Sequence, residues 1–133
     1  MIATITLNPS LDESIIVHEL KVDETNRWTS LRHYAGGKGI DVSRAIHEMG
    51  GNTIAYGFIG GTEGRALEIL LDEEGVPFSF TPIEQETRTN FIITDTRAHQ
   101  QTIINAPGPH ISKRELERFL KKFGEIHPVP DLM

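Results

Sequence analysis

The run Ala35-Gly36-Gly37-Lys38-Gly39-Ile40-Asp41-Val42-Ser43 brings glycine backbone and a lysine to the start of a helical pattern formed by Ile40, Val42, Ala45, Ile46 and Met49. Glycine lets backbone approach a ligand where a Cβ would block it. A helix N-terminus offers unpaired N–H groups and a partial positive charge, and Lys38 adds a full one. Such a loop can cradle an anionic small molecule, or it can only tighten a loop-to-helix junction. Asp12 follows Asn8-Pro9 on the C-terminal side of a first predicted strand, where ligands of open α/β sheets gather. Its carboxylate can accept hydrogen bonds from ligand hydroxyls, or it can be a solvated loop acid. Arg27 and Arg88 each offer a rigid fork of donors that matches phosphate oxygens. The alternative for both is ordinary surface charge, which is how Arg97, Arg114 and Arg118 read. Asn90 lies two residues after Arg88, so on one strand both face the same side, to line a pocket or hold a hairpin. Asn105 can belong to a covering strand segment or to a turn. Ionised Asp41 only accepts hydrogen bonds, and it weakens the hold on a nearby anion unless Lys38 or an arginine compensates.

The elements that must position these residues alternate. Ile2 to Leu7 reads as a buried strand ended by Asn8-Pro9, and Ser14 to Glu19 and Trp28 to Tyr34 are further extended segments. A helix over Lys38 to Met49 is stopped by Gly50-Gly51. Thr53 to Ile59, a helix over Glu63 to Glu74, and Val76 to Thr81 continue the alternation, which predicts parallel strands with crossover helices. The pattern then changes to two strands, Thr87 to Thr94 and Gln100 to Asn105, around a turn at Asp95-Thr96-Arg97-Ala98. Ser112-Lys113-Arg114-Glu115 is a capping box opening a helix with Leu116, Phe119, Leu120 and Phe123 on its apolar face and Gly124 at its end.

A chain of 133 residues suits one domain. It can bury a core, although a partial sheet leaves an apolar edge open. The net charge of −6 argues against nucleic acid and anionic membrane as partners. With no cysteine there is no disulfide or thiol chemistry, and with no signal-peptide pattern at the start the expected location is cytoplasmic. The six histidines are scattered without metal-ligand spacing, so no metal is expected. Trp28 reads as a residue that packs within an extended segment rather than one that stacks on a base. Lys38 is followed by Gly39, so the run is not a P-loop.

Taken together, the motifs resemble the PfkB (ribokinase-like) carbohydrate kinases, in particular the sugar-phosphate branch of 1-phosphofructokinase, tagatose-6-phosphate kinase and the minor 6-phosphofructokinase. Gly36, Gly37, Gly39, Ser43, Gly50 and Gly60 fall in the places of the family's first signature, with Asp41 where the family usually has Asn. Thr6-Leu7-Asn8-Pro9-Ser10-Leu11-Asp12, Thr87-Arg88-Thr89-Asn90 and Asn105-Ala106-Pro107-Gly108-Pro109 fit the same branch in the same order. The resemblance implies an α/β chain: the N-terminal part of a ribokinase-like parallel-sheet fold over residues 1–133, with a small β-sheet lid inserted at roughly 12–34 and 87–105. It implies a sugar-phosphate substrate held by Asp12, Arg27, Gly36, Gly37, Lys38, Gly39, Asp41, Arg88 and Asn90, and a homodimer formed through the lid. The family's second signature, with a Gly-Ala-Gly-Asp loop whose Asp acts as base, is not among these residues. Mg-ATP is therefore the cofactor of the parent family, and the ATP-binding half is expected to be absent, through truncation, a frameshift or an incomplete gene model. The other reading is a non-catalytic binding or association module, or a gene remnant.

Overall fold

The computed structural model describes residues 1–127 and 129–132; Pro128 and Met133, at the end of the unit expected over 1–133, lie outside them. The element order is β1 (Ile2–Thr6), β2 (Ser10–Val17), β3 (Ser30–Gly36), α1 (Lys38–Glu48), β4 (Thr53–Ile59), α2 (Gly61–Glu74), β5 (Phe78–Pro82), β6 (Arg88–Asp95), β7 (Gln100–Ile104) and α3 (Lys113–Gly124). β1, β4 and β5 form a parallel sheet in the order β1-β4-β5. The strands of such a sheet are buried on both faces and so read as continuous apolar runs. β4 is the case in point, with every residue but Ile54 buried.

Two cores follow from that burial. On one face α1 and α2 pack Ile40, Leu67 and Leu71 against Ala55, Ile59 and Phe80. On the other, α3 packs Phe119 against Ala3, Tyr56 and Phe58. The Phe58 and Phe119 rings meet at 4.9 Å between centroids. Each fully buried aliphatic or aromatic side chain contributes about 1.5–3 kcal/mol relative to exposure.

The second sheet has the order β3-β2-β6-β7. Its two central strands, β2 and β6, run parallel, and β3 and β7 add antiparallel at the edges. The central register sets Ser10 opposite Arg88 and Asp12 opposite Asn90. Because side chains alternate along a strand, these four share one face.

Several expectations are corrected. β2 begins at Ser10, not Ser14, so Asp12 is a strand residue rather than a loop acid. Ladders on both sides hold the polar run Ser10 to Ser14 extended, although its composition carries no apolar alternation. β5 begins at Phe78; Val76 reaches the core from the preceding loop, with its N–H on the Leu71 carbonyl. The capping box at Ser112 is formed, but Leu116 and Leu120 are 44% and 56% exposed, because the apolar stripe of α3 is wider than the face the sheet covers. Gly124 is the last helical residue and Glu125 the cap.

Candidate functional site

β1 ends at Thr6, and the chain turns through Leu7, Asn8 and Pro9 directly into β2. The Thr6 hydroxyl accepts the Ile40 N–H at 3.0 Å, which ties the end of β1 to the first turn of α1. Between β3 and α1 sits Gly37, with φ +132°, a conformation that side chains disfavour; a Cβ there would also fall 2.5 Å from the Thr6 methyl. Gly36 closes β3 opposite Ser10, and a Cβ on it would collide with the Asp12 carboxylate. The glycines therefore let α1 start against the end of β1 with Asp12 alongside. Gly39 lies against the Ile5 carbonyl in the same junction.

Asp12 Oδ1 accepts hydrogen bonds from Ser10 Oγ at 2.7 Å and Asn90 Nδ2 at 2.9 Å. Asn90 Oδ1 accepts the Ala106 N–H at 3.1 Å. Arg88 donates from Nη1 to the Ala106 carbonyl at 3.2 Å and from Nη2 to the Asn8 carbonyl at 3.1 Å, while its buried Nε has no partner among the described residues. The turn at Asn8 and the segment after β7 are thereby strapped to the floor of one cleft. The cleft measures about 430 Å³ and is lined by Thr6, Asn8, Ser10, Asp12, Gly37, Lys38, Asp41, Arg88, Asn90 and Asn105.

Of the residues expected from the sequence, Asp12, Gly37, Lys38, Asp41, Arg88 and Asn90 line this cleft. Gly36 and Gly39 shape its wall without lining it. Arg27 is exposed on the loop between β2 and β3 and is not among the lining residues. Arg88 differs from the expected free fork, since two of its nitrogens are committed to carbonyls. Thr6, Asn8 and Ser10 were not singled out; Ser10, two residues before Asp12, was findable from strand alternation once β2 was started early enough. Arg118, read as plain surface charge, instead donates to the Pro82 carbonyl at 2.7 Å.

Burial raises the Asp41 carboxyl above its ordinary range; Arg44 opposes the shift, Asp12 adds to it, and Lys38 opposes it. Arg44 lies 3.9 Å away, and it also grips Glu74 of α2 through two hydrogen bonds. Asp41 thus stands between the cleft and a second one of about 500 Å³ lined by Arg44, Ala45, His47, Glu48, Glu74 and Val76.

A model of the pfkB family carbohydrate kinases matches residues 5–129. The chain belongs to this family. Phosphofructokinase-2 of Escherichia coli in complex with fructose-6-phosphate is 31% identical, with a TM-score of 0.91 over 98% of this chain and 43% of its own. A tetrameric inhibited form of that enzyme gives a TM-score of 0.90 at 31% identity, over 98% of this chain and 43% of its own. A Thermotoga maritima protein described as a possible 1-phosphofructokinase is 34% identical, with a TM-score of 0.86 over 92% of this chain and 40% of its own. The chain thus has the ribokinase-like architecture of an N-terminal portion of the pfkB domain, and spans about two-fifths of the length of these relatives. Among the described residues no helix is long and apolar enough to cross a membrane.

The family is one of ATP-dependent kinases. The lining of the first cleft has no aromatic or large apolar side chain, and sets two carboxylates, Asp12 and Asp41, beside two cations, Lys38 and Arg88. The second is rimmed by Asp41, Glu48 and Glu74.

Proposed function

We propose that the chain is the sugar-recognition part of a phosphofructokinase-like pfkB kinase, and that the cleft at the end of β1 takes a ketohexose phosphate such as fructose 6-phosphate, fructose 1-phosphate or tagatose 6-phosphate. The observation that carries this reading is the Asp12–Asn90 pair, fixed across β2 and β6 beside the glycine loop and Lys38. One Asp12 oxygen is held by Ser10 and Asn90, which leaves the other for sugar hydroxyls. Asn90 Nδ2 keeps a second hydrogen for a sugar oxygen. Asp41 accepts from a further hydroxyl. Lys38 and the remaining N–H groups of Arg88 supply the positive charge for the phosphate.

Phosphoryl transfer rests on positioning and on stabilising the charge of the moving group. The base expected for it belongs to the Gly-Ala-Gly-Asp loop, which these 133 residues do not contain. The chain by itself is then a sugar-phosphate-binding unit without turnover, working in the cytoplasm. The four-stranded sheet is its lid, and the exposed β7, with Ile103 and Ile104, is the surface through which two copies associate. Calorimetric titration tests the binding reading: fructose 6-phosphate should bind more tightly than fructose or inorganic phosphate. Equal affinity for all three overturns it. In a coupled ADP-release assay the chain should match the no-enzyme blank, and turnover would place the base among residues assigned here to recognition.

A further inference from the structure

A further cavity lies at the other end of the parallel sheet from the cleft at Asp12, where β1, β4 and β5 begin. It measures about 320 Å³. Ile54, Tyr56 and Ser79 line it from the sheet, and Lys122, Glu125 and Ile126 from the end of α3 and the turn after it. Strand register explains the first three. Tyr56 pairs with Ser79, so their side chains stand side by side on the face that α3 covers, and Ile54, two residues before Tyr56, shares that face. Helical spacing explains the next two, since Lys122 and Glu125 lie three apart.

Tyr56 is 5% exposed. Its ring meets Phe123 edge-on at 6.4 Å between centroids, within the core that α3 forms with Ala3, Phe58 and Phe119. The hydroxyl is the part of the side chain left to the cavity. Burial raises it above the ordinary tyrosine value, with no hydrogen bond among the described residues contributing, so it stays a neutral O–H donor. A buried tyrosine hydroxyl ordinarily finds a partner. Lys122 Nζ commits one N–H to the Phe80 carbonyl at 2.7 Å and keeps two. Burial lowers its ammonium below the ordinary lysine value, and the charge of Glu68 opposes that shift. An anion in contact with a desolvated cation favours its charged form. Met1 also lines the cavity, with its ammonium already paired with Asp131.

We propose that this cavity binds a small organic carboxylate, whose oxygens accept from the Tyr56 and Ser79 hydroxyls and the free Lys122 N–H groups, and whose apolar body lies against Ile54 and Ile126. The Glu125 carboxylate in the same lining favours a ligand of one negative charge over doubly charged phosphate. Exposed His127 completes the lining. The cavity shares no residue with the cleft at Asp12, so the inference stands apart from the sugar reading.

Benzoate is the probe, with benzamide as its neutral counterpart and inorganic phosphate as the doubly charged anion. Amide chemical-shift mapping of the isotope-labelled chain should place benzoate at Tyr56, Ser79 and Lys122, with benzamide and phosphate about tenfold weaker or more. Tyr56→Phe should weaken benzoate about tenfold at an unchanged melting temperature, because the hydroxyl serves no bond within the fold. Lys122→Gln should weaken it at least as much. Saturating fructose 6-phosphate should leave the benzoate affinity unchanged. The proposal is overturned if benzoate moves none of these amides, if benzamide or phosphate binds as tightly, or if either variant keeps the parent affinity. A lower melting temperature for Tyr56→Phe overturns it as well, since the hydroxyl would then already be used by the fold, and so does displacement of benzoate by fructose 6-phosphate.

Discussion

The carboxylate of Asp12 is oriented before any ligand arrives: Ser10 and Asn90 fix one oxygen, and Gly36 leaves room for the other. Arg88 orients the same cleft from a different direction, through the carbonyls of Asn8 and Ala106. This assigns it a double part, strap and counter-charge. Arg88→Ala should therefore weaken binding of both fructose and fructose 6-phosphate, with the larger loss for the phosphate, about 1.5–3 kcal/mol for a charge-assisted bond. Calorimetry on both ligands decides it, and a loss confined to the phosphorylated sugar contradicts the strap. At Asp41 two effects compete on replacement by Asn. An acid in the first turn stabilises a helix by about 0.3–1 kcal/mol, so Asp41→Asn should lower stability slightly. Two unit charges ~6 Å apart repel by about 3 kcal/mol at an effective dielectric of about 20, before screening. The repulsion outweighs the helix effect, so the variant should bind fructose 6-phosphate several-fold more tightly, and the gain should shrink as salt rises. Weaker binding by the Asn variant at low salt would mean that the carboxylate's bond to a sugar hydroxyl outweighs its repulsion of the phosphate, and would contradict this balance.

At the scale of elements, α3 is held by its first turn. Glu115 Oε2 accepts from the Ser112 hydroxyl and N–H, and Oε1 accepts from the Glu84 N–H, all at 2.7 Å. Those bonds lower its carboxyl from an ordinary 4.5 to about 2. A carboxyl depressed in the folded state contributes stability that is whole above its unfolded value and is lost as pH falls through the folded one. The urea midpoint should therefore fall between pH 4.5 and about 2, and Glu115→Gln should flatten that fall. An unchanged slope would mean that the box does not anchor α3. The capping box was legible because its residues are close in sequence, as were the glycine loop, α1 and the alternation that predicts the parallel sheet. The parallel pairing of β2 with β6 was not. It joins Asp12 to Asn90 across 78 positions, and no local pattern encodes a partner so distant. The exposure of Leu116 and Leu120 was hidden for a related reason: periodicity marks an apolar stripe but not how much of it a neighbour covers.

Over the whole molecule, the cleft exists because two sheets meet at one point. β1 brings the turn Leu7 to Pro9, β2 leaves it with Asp12, β3 returns to Gly36, and α1 starts there with Lys38. Most cleft residues were legible as types at family spacing, while their meeting required the second sheet's register. Arg27 was legible as a fork, and the structure sets it on the exposed loop between β2 and β3, outside the cleft lining. The central claim is that this meeting point, and no other part of the surface, receives the ketohexose phosphate. Amide chemical-shift mapping of the isotope-labelled chain during titration with fructose 6-phosphate tests it most directly. The account predicts that the largest shifts fall on Asp12, Gly36 to Asp41, Asn90 and Ala106, with smaller ones for fructose. Shifts centred on the second cleft, at Arg44, Glu48 and Glu74, or none at saturating ligand, would contradict it.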